Sequence, residues 1–131
     1  MSHIIRKHQL NGHIDDFYKC VALVFTHLYS AFPQEVDVCV DELEPNLQIE
    51  QSDNYAATVR FLQREGLLRY QELLYETYKG AVLTAKSLSL LETTQDNENT
   101  LLVQQISLAL EKNDNAAIKS IVRELIKLSV H

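Results

Sequence analysis

The chain has 131 residues, a net charge of −6 and a pI near 5.3. This is the length of one small domain, which excludes a large α/β barrel or a two-domain dinucleotide-binding enzyme. The acidic balance argues against a protein that coats nucleic acid, because general affinity for phosphates comes from lysine and arginine. Hydrophobic residues make up 46% of the chain, with only 3 glycines and 2 prolines, so we expect a folded, mostly helical α+β protein.

The first predicted helix runs from Ile14 to Phe32, where apolar residues recur at spacings of three and four. We expect Asp15 and Asp16 in its first turn, where the helix dipole favours negative charge. Alternating valines then predict a short strand over Val36 to Val40. The acidic segment from Asp41 to Glu44 predicts a brief helix.

A second clear helix is predicted from about Asp53 to Glu65, with Ser52 or Asp53 as its N-cap. Gly66 follows, which is the residue expected at a left-handed helix C-cap. The stripe expected to face the core consists of Tyr55, Val59 and Leu62.

Residues Leu68 to Leu83 have the composition of a β-hairpin, with a turn at Lys79-Gly80 or at Glu76-Thr77. Thr84 is a good N-cap for a third helix from Ala85 to about Thr94. The side chains expected to be buried from this helix are Leu88 and Leu91.

The last part of the chain predicts two more helices, from about Thr100 to Glu111 and from Asp114 to Ser129. The short polar connection between them is typical of an antiparallel helical hairpin. We therefore divide the chain into residues 1–95 and a C-terminal helical hairpin of residues 96–131, with a polar break at residues 95–99.

Two motifs link the central helix and hairpin to a known family. The central helix ends in L-x-x-x-G-L-L, from Leu62 to Leu68, and the hairpin ends in Leu83-Thr84 at the start of a capped helix. Over about Ile14 to Leu91 the chain resembles the winged-helix superfamily of bacterial regulators. The resemblance implies three helices, a small antiparallel sheet and a two-stranded wing. The chain departs from the family pattern at Ser87, where glycine is frequent, and in the brevity of the helix near Asp41.

The resemblance implies that the helix over residues 53–65 reads the DNA major groove while the wing touches phosphates. Asparagine and arginine suit adenine and guanine, respectively. The implied DNA-binding residues are Ser52, Asn54, Ala57, Arg60, Arg64, with Gln63 beside it, and Arg69 and Lys79 from the wing.

The charge of this region weakens the DNA-binding hypothesis. Between Val36 and Glu98 there are twelve acidic residues against five basic ones. The leading hypothesis is a DNA-binding transcriptional regulator. The alternative is an acidic winged-helix adaptor that binds a protein and no DNA. An exposed, solvated helix face is an equally good account of Arg60 and Arg64.

The C-terminal hairpin offers an apolar stripe for a two-fold homodimer. The same stripe would equally suit packing across the first helix of its own chain. The side chains predicted for dimerisation are Ile118, Ile121, Val122, Leu125 and Leu128.

No sequence motif indicates an enzyme. GxSxG, P-loop and HExxH patterns are absent, and the five histidines lack ligand spacing, so we expect no catalytic residue, metal or cofactor. Cys20 and Cys39 are predicted to be free thiols, which suits a reducing compartment. The first residues lack the apolar core of a signal peptide, and no run is long enough to cross a bilayer. We therefore expect a soluble, cytoplasmic protein without membrane association.

Overall fold

The computed structural model describes residues 6–95 and 99–130, with side chains from residue 12 onwards. These residues form a mostly helical α+β protein with a small antiparallel sheet, as predicted. The helices are α1 (Arg6–Ala31), α2 (Val40–Leu43), α3 (Ile49–Arg64), α4 (Ala85–Leu91), α5 (Leu102–Glu111) and α6 (Asn115–Ser129). The strands are β1 (Val36–Cys39), β2 (Leu68–Arg69), β3 (Glu72–Leu74) and β4 (Thr77–Leu83).

Helix α1 begins at Arg6, earlier than the predicted start at Ile14. The expectation that Asp15 and Asp16 lie in its first turn is therefore wrong, because both lie well inside the helix. A periodic apolar pattern marks only the part of a helix that packs against a core, and the residues before Ile14 are mostly polar. The sequence pattern consequently missed the start of α1.

Helix α3 also begins earlier than predicted, at Ile49, so the proposed caps Ser52 and Asp53 lie inside it. Its N-cap is Gln48, whose backbone N–H donates to the Gln51 side chain at 3.0 Å. Gly66 follows the helix with a φ of 74°, the left-handed conformation that glycine adopts without a steric penalty.

Strand β4 is the centre of the sheet. It pairs antiparallel with β1 on one side and with β2 and β3 on the other. The hairpin turn lies at Tyr75 and Glu76, one residue before the predicted Glu76-Thr77 position, and the alternative at Lys79-Gly80 is wrong. Lys79 and Gly80 lie within β4, at a bulge where the pairing with β1 shifts register. Gly80 has a φ of 67° there, and a β-carbon would meet the Gln71 side chain at 3.0 Å.

Helix α4 closes the sheet side of the core. Thr84 is its N-cap, as predicted, and accepts a hydrogen bond from the Ser87 N–H at 3.3 Å. The helix ends at Leu91, sooner than the predicted Thr94. Leu91 is buried but Leu88 is only half-buried, because Ser87 takes the inward position. The Ser87 hydroxyl donates to the Leu67 carbonyl oxygen at 2.6 Å, which ties α4 to the end of α3.

This buried hydroxyl gives a first prediction. Replacing Ser87 with alanine should lower the free energy of unfolding by about 1 kcal/mol, because the bond to Leu67 is lost inside the core. Urea unfolding measures the difference. Ser89→Ala, at an exposed position of the same helix, is the control and should change stability by less than about 0.5 kcal/mol. Equal effects of the two substitutions would contradict this role of Ser87.

Helices α5 and α6 pack against each other and against α1. Their buried side chains belong to the same hydrophobic core as those of α1, α3 and the sheet. The predicted break at residues 95–99 lies partly outside the described residues. Two of the five histidines, His3 and His131, lie outside them entirely. The hairpin of α5 and α6 is therefore packed on the rest of the chain and shares its core.

This packing decides where the predicted dimerisation stripe lies. Four of its side chains are buried within the single chain, and Leu128 is half-buried against the same core. These side chains therefore pack against the core of their own chain, as the intramolecular alternative expects, and a two-fold homodimer through Ile118, Ile121, Val122, Leu125 and Leu128 stays a prediction.

Candidate interaction surface

Helix α3 is anchored by the stripe that the sequence predicted. Tyr55, Val59 and Leu62 are each no more than 2% exposed, and Thr58 is buried beside them. Burial of these side chains fixes the rotation of α3 about its axis. The remaining faces of α3 therefore have defined neighbours: α1 on one side and β4 on the other.

On the α1 side, a predicted DNA-reading residue is engaged within the chain. The Asn54 amide donates to the Asp16 carboxylate at 2.9 Å. Phe61 lies one helical turn after Ala57 on α3. Its ring packs edge-on against Phe17 of α1, with the ring centroids 5.6 Å apart. Asn54 is only partly exposed, and its hydrogen-bonding group points to α1.

On the sheet side, the second predicted base-reading residue is also engaged. The Tyr78 hydroxyl accepts a hydrogen bond from Arg60 at 3.2 Å and donates one to the Ala56 carbonyl oxygen at 3.0 Å. Burial raises the pKa of Tyr78, while the Arg60 guanidinium opposes that shift. Tyr78 thus joins α3 to β4 and orients Arg60 along the surface. The sequence did not predict this bond between Arg60 and Tyr78, because it joins residues 18 positions apart.

Two further predicted contacts are occupied by acidic neighbours. The Lys79 ammonium lies 2.8 Å from the Asp37 carboxylate across the β1–β4 pair. This ammonium and the Gly80 N–H together hold the pKa of Asp37 below its usual range. The Ser52 hydroxyl lies 3.5 Å from Asp41, at the limit of a hydrogen bond. Lys79 is therefore largely neutralised as a phosphate contact.

Four of the predicted DNA-binding residues remain exposed: Ala57, Gln63, Arg64 and Arg69. Ala57 is at the middle of the outward face of α3. Toward the start of the helix this face carries Glu50 and Asp53, and only its end carries Arg64. The outward face is thus acidic in its first half and basic in its second.

An apolar patch borders this outward face. We call it the α1–α3 patch and define it as Ile14, Phe17, Ala57 and Phe61. Phe61 is 43% exposed and Ile14 is 40% exposed, while Phe17 lies between them in edge contact with Phe61. Ala57 lies one helical turn before Phe61. The sequence contained this signal, since Phe61 has helical spacing to Ala57 on a face that the buried stripe leaves outward.

The tip of the β3–β4 hairpin is a second exposed apolar feature. Leu73 and Leu74 are 46% and 45% exposed, and Tyr75 is 91% exposed. Tyr75 and Glu76 have φ values of 48° and 67°, a left-handed conformation that is unusual for a bulky aromatic residue. The turn thereby presents the Tyr75 ring to solvent.

A polar pocket of about 360 Å³ lies between α1, α3 and the start of α6. Two of its three acidic groups have partners: Asp16 accepts from Asn54, and Glu44 accepts from the Tyr55 hydroxyl and lies 3.5 Å from Lys19. Burial, and next the bond to Glu44, raises the pKa of Tyr55. These contacts bind α1, α2 and α3 together.

No group of three or more His, Cys, Asp or Glu side chains in residues 6–95 and 99–130 is placed to hold a metal ion. No helix among them is long and apolar enough to span a membrane. Cys20 is buried and Cys39 half-buried, and both are free thiols. Burial raises the pKa of the Cys20 thiol, which makes it a poor nucleophile.

The chain matches no protein-family model, and no curated protein or solved structure is significantly similar to it.

Proposed function

We propose that the protein is a winged-helix module that binds another protein through the α1–α3 patch. The winged-helix assignment is supported by the order of elements from α1 to β4 and by a sheet in the order β1-β4-β2. In this arrangement α3 has the place of the recognition helix, and the β3–β4 hairpin has the place of the wing.

The observation that carries the choice of a protein partner is the exposure of Phe61. A helix that reads DNA needs polar side chains that are free to reach base edges. Here Asn54 and Arg60 bond within the chain, and the exposed aromatic side chain of α3, Phe61, packs against Phe17. Exposed aromatic residues flanked by polar ones are typical of the centre of a protein interface.

Charge supports the same choice. The chain has a net charge of −6, and Glu50 and Asp53 lie on the outward face of α3. Lys79 is paired with Asp37 at 2.8 Å. A duplex would therefore meet carboxylates along part of the proposed docking face, whereas an apolar segment of a partner protein could bury Phe61 without bringing phosphates against them.

DNA binding stays the second candidate because Arg64 and Arg69 are exposed at the end of α3 and the start of the sheet. Neither takes part in an ion pair among the described residues. The two free cysteines suit a reducing compartment, so a cytoplasmic location remains part of the proposal.

The proposal is tested by panning a random peptide library on the wild-type protein. We expect enriched peptides that carry apolar side chains and whose affinity falls about tenfold or more in Phe61→Ser. The matched control is Leu108→Ser, because Leu108 is 50% exposed on α5, outside the patch. Since both side chains are exposed, both variants should stay folded, which circular dichroism checks.

The competing outcome is measured on the same proteins. Random duplex DNA is offered at about 50 mM salt, where phosphate contacts are strong. Selection of a DNA sequence whose binding is lost in the Arg64→Ala and Arg69→Ala double variant would replace the protein-binding proposal with the regulator. The protein-binding proposal would also be overturned if the enriched peptides bound the Phe61→Ser variant as tightly as the wild-type protein.

A further inference from the structure

The most basic helix face among the described residues is on α6, away from the proposed docking patch. Lys119, Arg123 and Lys127 recur every four residues, so they form a row with a rise of about 6 Å per step. We call this row the α6 stripe. Arg123 and Lys127 are exposed and Lys119 is half-exposed.

The α6 stripe borders a shallow depression of about 440 Å³. Its other lining residues are Ala116, Ser120 and Glu124. The small side chains at 116 and 120 leave room beside the cations, and Glu124 is the one acidic group on the lining. The two ion pairs in the described residues, Lys19–Glu44 and Lys79–Asp37, involve none of the three cations, and the Lys119 ammonium lies 5.9 Å from the centroid of the Tyr18 ring.

The β3–β4 hairpin tip has the complementary character. We define the tip as residues 72–76, Glu-Leu-Leu-Tyr-Glu, with a carboxylate at each end and three exposed apolar side chains between them. The main packing of β3 is against β4, so the tip projects from the body of the molecule. The left-handed turn at Tyr75 and Glu76 directs the aromatic ring outward.

We propose that the tip of one copy docks on the α6 stripe of a second copy, giving a head-to-tail self-association. Glu72 and Glu76 would lie beside the stripe cations, and Tyr75 would cover the small residues of the depression. Within one chain, no ion pair in the described parts joins the tip to the stripe, so the proposed contact is one between two copies. Because a head-to-tail contact leaves one tip and one stripe free, it extends into rings or chains.

Charge complementarity is the reason to commit to a second copy. Copies with a net charge of −6 repel one another, so association requires a local contact between surfaces of opposite sign. The tip and the stripe provide that contact on every molecule. A hairpin tip on one helix face is a small interface, so the association should be weak and should strengthen as salt is lowered. This contact is independent of the proposed function because it uses neither Phe61 nor Phe17.

Sedimentation velocity of the full chain over a concentration series tests the proposal, at about 25 mM and about 300 mM salt. Wild type should exceed the monomer mass at high concentration in low salt and should return to monomer in high salt. A tip-reversed variant, Glu72→Lys with Glu76→Lys, and a stripe-reversed variant, Lys119→Glu with Arg123→Glu, should each remain monomeric. An equal mixture of the two variants should associate again, because each tip then meets a stripe of opposite sign.

Controls separate the local contact from net charge. Each Glu→Lys exchange adds two charges, so the tip-reversed variant has a net charge of −2 and less general repulsion than wild type. General repulsion therefore predicts stronger association of that variant, whereas the proposal predicts its loss. Lys86→Glu with Lys112→Glu, both exposed and off the stripe, matches the net charge of the stripe-reversed variant and should self-associate more strongly than that variant does.

Tyr75→Ser leaves the charge unchanged and should weaken association about tenfold. A wild-type chain that stays monomeric in low salt would overturn the proposal. Association that survives tip reversal would overturn it too, because the stripe would then bind some other acidic surface. The proposal is likewise overturned if an equal mixture of the two reversed variants stays monomeric.

Discussion

A chain shortened to end at Gln95 is expected to lose cooperative folding. The buried hydrophobic residues of α5 and α6 lie in the same core as those of α1 and α3. Burial of one large apolar side chain contributes about 1.5–3 kcal/mol, and the whole stability of a domain this size is about 5–15 kcal/mol. Removing seven such side chains costs about 10–20 kcal/mol, which is as large as that total or larger. The side chains lost are Leu102, Val103, Ile106, Ile118, Ile121, Val122 and Leu125.

The measurement is urea unfolding followed by circular dichroism, with a proton–nitrogen correlation spectrum for side-chain order. The control is a full chain with a protease site placed within residues 96–98, which is cut after folding. Its two pieces should stay together, because the packing of α1 against α5 and α6 survives the cut. A chain ending at Gln95 that unfolds cooperatively would show instead that residues 1–95 are an independent domain.

The sequence best predicted the helices that bury one face in the core and expose the opposite face to solvent. The predicted bounds of α5 and α6 are within two residues of those observed, because each helix buries one stripe and exposes the opposite face. Thr84 and Gly66 marked helix ends through local chemistry, an N-cap hydroxyl and a positive φ. Such signals need no knowledge of the rest of the fold.

The start of α3 was missed because its signals were weak in the sequence. Ile49 is 80% exposed, so it contributes nothing to a burial pattern. Gln48 is a poor N-cap by residue type, whereas Ser52 and Asp53 are good ones. The hairpin turn was misplaced for a similar reason, since Tyr75 and Glu76 are unusual at positive φ.

The candidate site was least predictable where partners come from distant parts of the chain. From their helical spacing, Asn54 and Arg60 were predicted to lie off the buried stripe of α3, which is correct. Both side chains nevertheless bond to residues of other elements. The Asn54–Asp16 and Arg60–Tyr78 bonds span 38 and 18 positions, respectively. Helical periodicity gives the face on which a side chain lies, but the partner depends on how elements pack.

The apolar side chains that α6 buries in the core should contribute strongly to stability. Leu125 is 1% exposed within a single chain, and its removal leaves a cavity in the shared core. Leu125→Ala should therefore lower the free energy of unfolding by about 2–5 kcal/mol. Val130→Ala is the control, because Val130 is 71% exposed just after α6 and should change stability by less than about 0.5 kcal/mol.

The dependence of unfolding on protein concentration separates intramolecular packing from the two-fold interface that the sequence pattern also allowed. If Leu125 stabilises a single chain, the urea midpoints of wild type and Leu125→Ala stay constant from about 1 to 50 μM protein. If the apolar side chains of α6 instead hold a dimer together, dilution lowers the wild-type urea midpoint by mass action. The experiment is done at about 300 mM salt, where the head-to-tail contact proposed above is screened. A midpoint that falls on dilution would therefore assign Leu125 and its neighbours to an interface between copies, against the packing described here.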